Sequence, residues 1–169
     1  MFNTFIIFII YTILLILSTC SAISDYKYRK IYNYYTYTAI LSGLFINSIA
    51  FGWQGFYLSL IGLFTGIALV IVFYIFGVMG AGDVKLLGAM GCIGGAGFVF
   101  HVFIYSTFIG SIIAIFILFY KKESVLDSFK KLLYLLIHPF KSQEYEQLYI
   151  PYGVAISAAC FIKIYQGII

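Results

Sequence analysis

Two of the six acidic side chains, Asp25 and Asp83, stand apart from the other four. Glu123, Asp127, Glu144 and Glu146 share one charged stretch and read as a solvated face. Asp25 follows one long apolar run and Asp83 precedes another. A carboxylate beside hydrocarbon is costly unless it is paired or used. Two carboxyls that share a proton can activate a water, one as base and one as acid, because like charges close together do not both ionise easily. Such a pair would open a peptide bond without metal or covalent intermediate. The plainer reading is that each acid caps a helix or balances Lys27, Arg29, Lys30 or Lys85. Position alone supports the two readings equally. Around Asp83, Gly80-Ala81-Gly82 supplies small residues that let another backbone come close, as an extended peptide must.

The elements that would hold these acids are membrane helices. The chain has 169 residues, 63% of them hydrophobic and 9% charged, with a mean hydropathy of +1.06. A soluble domain carries roughly 25% charged residues. A soluble monomer and a disordered chain are both excluded. At ~20 residues per span, the length holds about six. The apolar runs place them at about 2–23, 34–51, 56–79, 86–97, 98–120 and 149–169, in an all-α polytopic protein with a single domain over 1–169. Gly52-Trp53-Gln54-Gly55 is read as the turn between the second and third spans. Gly91, Gly94, Gly95 and Gly97 are read as the turn between the fourth and fifth. Residues 121–148 place Val125, Phe129, Leu132, Leu133, Leu136 and Phe140 at helical spacing among charges, the pattern of an amphipathic helix on the membrane surface. Six spans put nine of the ten Lys and Arg side chains on one side, with Lys163 opposite. The positive-inside rule makes that side cytoplasmic and both termini external. Both aspartates then face the cytoplasm from the cell membrane.

The remaining features exclude other chemistries. The net charge of +4 is small and unclustered, so no nucleic-acid surface is expected. Cys20, Cys92 and Cys160 are far apart in apolar segments and read as buried thiols. His101 and His138 have no companions to form a metal site, and no cofactor is expected. The glycines from Gly91 to Gly97 follow no strand, so they are read as a helix turn and not a nucleotide loop. Gly62 with Gly66, and Gly91 with Gly95, have the small-xxx-small spacing of packed membrane helices. A small ion or proton transporter is a rival reading, since intramembrane acids relay ions; a non-catalytic assembly subunit of the membrane is another. Both acids are present and neither falls at mid-membrane, which favours hydrolysis.

Gly80-Ala81-Gly82-Asp83-Val84-Lys85-Leu86-Leu87 resembles the Gly-x-Gly-Asp motif of type IV prepilin peptidases, within the wider group of intramembrane aspartyl proteases. Asp25-Tyr26-Lys27-Tyr28-Arg29-Lys30-Ile31-Tyr32-Asn33 resembles the family's first aspartate loop, with Tyr32 where proline is usual. Ile150-Pro151-Tyr152-Gly153 is similar to its last-span motif. The resemblance implies that Asp25 and Asp83 are the catalytic dyad, with Gly80, Gly82 and Lys85 as supporting motif residues. It implies prepilins or pilin-like proteins as substrates, cut between a short basic leader and an apolar helix. The chain lacks the N-terminal cytoplasmic insertion of the larger family members, and so resembles the short form that serves tight-adherence (Flp-type) pili, without an expected methyltransferase activity. Lys85 either orients substrate, tunes Asp83 or extends to the lipid headgroups. A valine at Gly82 is expected to harm cleavage more than one at Gly62, which is read as a helix contact only.

Overall fold

The computed structural model describes residues 2–76, 79–121 and 152–168, and every element among them is helical. Where no water reaches the backbone, a helix satisfies its own N–H and C=O groups, and long apolar runs fold accordingly. Helix α1 is Phe2–Tyr28, 27 residues or ~40 Å long. It runs five residues past the predicted end of the first span, so Asp25 and Lys27 lie on the helix itself and not in a loop after it. Arg29 ends it with a left-handed φ of 52°. The Arg29 N–H donates to the Asp25 carbonyl at 2.9 Å, and Ser24 Oγ donates to the Lys30 carbonyl at 2.6 Å, folding the chain back tightly.

Helix α2 is Asn33–Ile75, 43 residues. A straight helix of that length would measure ~65 Å, twice a bilayer core. It reverses at Gly52, whose φ of 61° and ψ of −142° lie outside helical space. Across the reversal, Asn47 Nδ2 donates to Ser59 Oγ at 2.7 Å, although the two are 12 residues apart. On one straight helix they would be separated by ~18 Å. The expected turn is thus present but shorter: Gly52 alone breaks the helix, and Trp53, Gln54 and Gly55 already belong to the returning arm.

Helix α3, Ala81–Gly94, lies against both arms of α2. Gly43 of the first arm meets Cys92 and Ile93, while Gly62 and Gly66 of the second meet Gly91 and Leu87. Asn47 Nδ2 also reaches the carbonyls of Cys92 and Ile93 at 3.2 and 3.3 Å. Leu86, Leu87, Ala89, Met90 and Cys92 are wholly buried. A helix that is apolar on all sides and covered on all sides forms the centre of the core. Gly95, with φ 85°, separates α3 from α4, Ala96–Lys121, so Gly97 belongs to α4 and not to the turn.

Helix α5, Tyr152–Ile168, packs between α1 and α4. Ser157 Oγ donates to the Ser18 carbonyl at 2.8 Å, and Tyr105 Oη donates to Gln166 Oε1 at 3.0 Å. Leu14 and Leu17 of α1, Val99 and Val102 of α4, and Ile156 and Ala159 of α5 complete the core. The outward faces carry exposed Phe8, Phe45, Phe64, Phe108 and Phe116. Such a surface suits lipid, and Phe5–Tyr28, Asn33–Ile75 and Ala96–Ile117 are each long and apolar enough to cross a membrane. That is three helices of spanning length among the described residues, where the apolar runs suggest about six. The difference arises because the two arms of α2, joined at Gly52, count together as one helix, and α3 and α5, at 14 and 17 residues, are short. The expected amphipathic helix over 121–148 lies outside the described residues apart from Lys121, as do His138 and Pro151.

Candidate active site

A cavity of about 700 Å³ opens between α1, α3, α4 and the first turn of α5, and Asp25 and Asp83 both line it. Asp83 sits in the first turn of α3 because Gly80, extended at φ −76° and ψ 151°, starts the helix three residues earlier. The Gly80 N–H donates to Asp83 Oδ2 at 3.2 Å, and the Asp83 N–H returns to the Gly80 carbonyl at 3.1 Å. A negative group is favoured at that helix end. Burial outweighs this: Asp83 is 9% exposed and lies outside the three spanning helices. Loss of water, and then the Asp25 charge, push its carboxyl from the usual 3.8 up to about 7, against the Gly80 hydrogen bond.

Asp25 is placed differently. It lies in the last turn of α1, where the helix dipole disfavours a carboxylate, and it is 5% exposed. The first turn of α5 compensates: the Gly153 N–H donates to Asp25 Oδ2 at 2.8 Å. A Cβ at position 153 would fall 2.8–3.0 Å from the Asp25 side-chain atoms, so only glycine lets that amide come so close. The two readings of the acids left open by position are therefore compatible. Each carboxylate accepts a backbone N–H at a helix start, and the two share a cavity.

Gly80, Gly82 and Lys85 line the same cavity. Lys85 Nζ donates to Asn33 Oδ1 at 2.9 Å and lies 5.6 Å from the Tyr37 ring centre. It thus ties the Asp83 segment to the first residue of α2. A Cβ on Gly82 would point toward Ile31 and meet its Cβ at 3.0 Å. The small size of glycine there lets the two aspartate segments pack together. Gly80 contributes its N–H, and its φ is one any residue adopts. The far wall is the α4 face of Thr107, Gly110, Ser111 and Ala114, with Tyr152 laid across Gly110. His101 is remote from this cavity and lines a second one.

Two residues were not singled out from sequence for the roles they hold. Gly153 belongs to the last-span motif, and nothing local announces that its amide meets a group 128 residues away. Asn47 carried a usable signal, a lone amide inside an apolar run that must find partners in the bundle.

The helices and the cavity among them that both aspartates line define the class as an all-helical membrane protein with buried carboxyls at one end of the bundle. Within that class, the family model of the type IV leader peptidase family matches residues 4–115, and the chain belongs to that family. Neither a curated protein nor a solved structure matches the chain. The matched segment runs from α1 into α4 and includes both aspartates. Family membership carries peptidase activity on pilin-like proteins. Gly153 lies beyond the matched segment, so its contact with Asp25 gives a separate check on the site. Gly153→Ala is expected to accumulate in membranes yet lose about 10²-fold in the rate of leader removal, the usual cost of an ~1 Å misplacement. A rate equal to that of the parent would mean that the contact does not position Asp25.

Proposed function

We propose that the protein is an aspartic endopeptidase that removes the short leader from prepilins, with Asp25 and Asp83 as its catalytic pair. The observation that carries this reading is the meeting of two buried carboxyls on one cavity, one of them holding its proton up to about pH 7. Water between the pair attacks the scissile carbonyl carbon. Asp25 takes a proton from that water, while Asp83 gives its proton to the carbonyl oxygen. The tetrahedral diol then collapses: one of its hydroxyls returns a proton to Asp83 as the C=O bond re-forms, the C–N bond breaks, and the amine leaves with the proton held by Asp25, which restores both acids. The small side chains of Thr107, Ser111 and Ala114 leave room for an extended backbone opposite the acids. The distribution of Lys and Arg supports six spans, with α2 contributing two through its reversal at Gly52, and a cytoplasmic active site. Flp-type pilins are the favoured substrates.

The test is to co-express candidate prepilins with the chain and measure their mass. A loss equal to the leader, unaffected by chelators and by replacing Cys20, Cys92 and Cys160 together, is the expected result. Activity lost with EDTA and restored by zinc would overturn the aspartic reading.

A further inference from the structure

A second cavity, of about 490 Å³, lies toward the opposite end of the bundle. Ile7 and Ile10 of α1 and Phe51 and Leu58 flanking the α2 reversal form its apolar walls, and Lys163 and His101 are its basic groups. Lys163 follows Gly153 by ten residues on α5, or ~15 Å along the axis. Ile7 precedes Asp25 by eighteen residues on α1, or ~27 Å. The cavity therefore serves the leaflet opposite the acid pair. Its described lining includes no Asp or Glu. Among the described residues Lys163 makes no hydrogen bond or ion pair, and it is only half-buried. His101 Nδ1 is 2.7 Å from the Gly97 carbonyl, which leaves its Nε2 for another partner.

A cation held among apolar helices is costly and calls for an anion or for water. The size of the cavity falls within the ~300–1,000 Å³ of sites that hold small molecules. Lys163 selects a negative group, while the isoleucines, Phe51 and Leu58 select an amphiphile over a free ion. We propose that this cavity binds an anionic phospholipid of that leaflet, with its phosphate on Lys163 and its acyl chains along Ile7, Ile10 and Leu58. The inference does not depend on the peptidase mechanism, since binding is read directly.

The full chain, purified in detergent, is exposed separately to phosphatidylglycerol, phosphatidylcholine and inorganic phosphate, and followed by native mass spectrometry and thermal unfolding. Phosphatidylglycerol should be retained and should raise the unfolding temperature, while the other two should do neither. Lys163→Met should weaken phosphatidylglycerol retention roughly five-fold, the worth of one cation near a phosphate surface. Lys163→Arg should keep it, and Lys27→Met, at the exposed far end of α1, should leave it unchanged. Equal retention of both lipids, parental retention by Lys163→Met, or equal stabilisation by phosphate alone would each overturn the proposal. Should Lys163→Met fail to accumulate, Leu58→Trp fills the apolar wall with Lys163 in place and should evict the lipid; continued retention would overturn it equally.

Discussion

Asp83→Asn is expected to abolish leader cleavage and at the same time to make the protein more stable near pH 7.5. The two effects share one cause. In the folded protein the Asp83 carboxyl is held at about 7, against an ordinary value of 3.8, first by burial and then by the Asp25 charge. Between those values the folded state binds a proton that the unfolded state has released. Stability therefore falls as pH rises from about 4 to about 7, and the loss is complete above the folded value. At ~1.4 kcal/mol per unit, the cost is at most about 4 kcal/mol. Asparagine keeps the shape and removes the titration, so it recovers that stability while removing the acid. Thermal unfolding in detergent from pH 4.5 to 8 should show a downward slope in the parent and a flatter one in Asp83→Asn. Asp25→Asn should also abolish cleavage, and should move the parental slope to lower pH, because one of the two causes acting on Asp83 is gone. Cleavage by either variant at the parental rate would sink the catalytic assignment. An unchanged slope in Asp83→Asn would show that another group causes it. Activity of the parent should decline above about pH 7 as Asp83 loses the proton it must donate, and the profile belongs to the coupled pair.

The sequence was legible where chemistry and hydropathy are local. Asp25 and Asp83 are the acids that adjoin apolar runs, and they do meet on one cavity. The helical class follows from the same runs. What sequence left open was set by contacts between distant segments. Nothing near Asp83 says that Gly82 faces Ile31, or that Lys85 reaches Asn33, because those contacts join residues about 50 positions apart. Helix ends differ from the ends of the apolar runs for a related reason. Charges at Asp25 and Lys27 suggested a loop, yet the helix absorbs them because Gly153 supplies a donor to the carboxylate from another element. At α3, Gly80 starts the helix ahead of Asp83, whereas hydropathy alone starts the apolar run after Lys85.

Gly62→Val should be more damaging to the fold than either Gly82→Val or Gly97→Val, reversing the order that a simple approach-to-the-acid argument gives. At Gly62 an added Cβ would overlap the Gly91 carbonyl and lie 3.1 Å from the Gly95 Cα; at Gly91 it would overlap the Gly62 carbonyl in return. Two backbones in contact have no side chain to move aside, so relief requires separating α2 from α3, the helix whose burial forms the core. Overpacking that side chains can absorb costs about 1–3 kcal/mol, and this site should exceed that range. At Gly82 the obstacle is the Ile31 side chain at 3.0 Å, which can shift by a few tenths of an ångström at the expense of the loop after Asp25. Gly82→Val should therefore fold and cleave slowly. Gly97 has nothing within 4 Å of its added Cβ, and its valine variant should behave as the parent. The readout is the fraction of each variant recovered as a monodisperse species in detergent, with its unfolding temperature. Parental recovery and unfolding temperature for Gly62→Val would mean that the α2–α3 backbones are not in contact. In that case the placement of Asp83, which depends on where α3 is seated, would have to be revised with them.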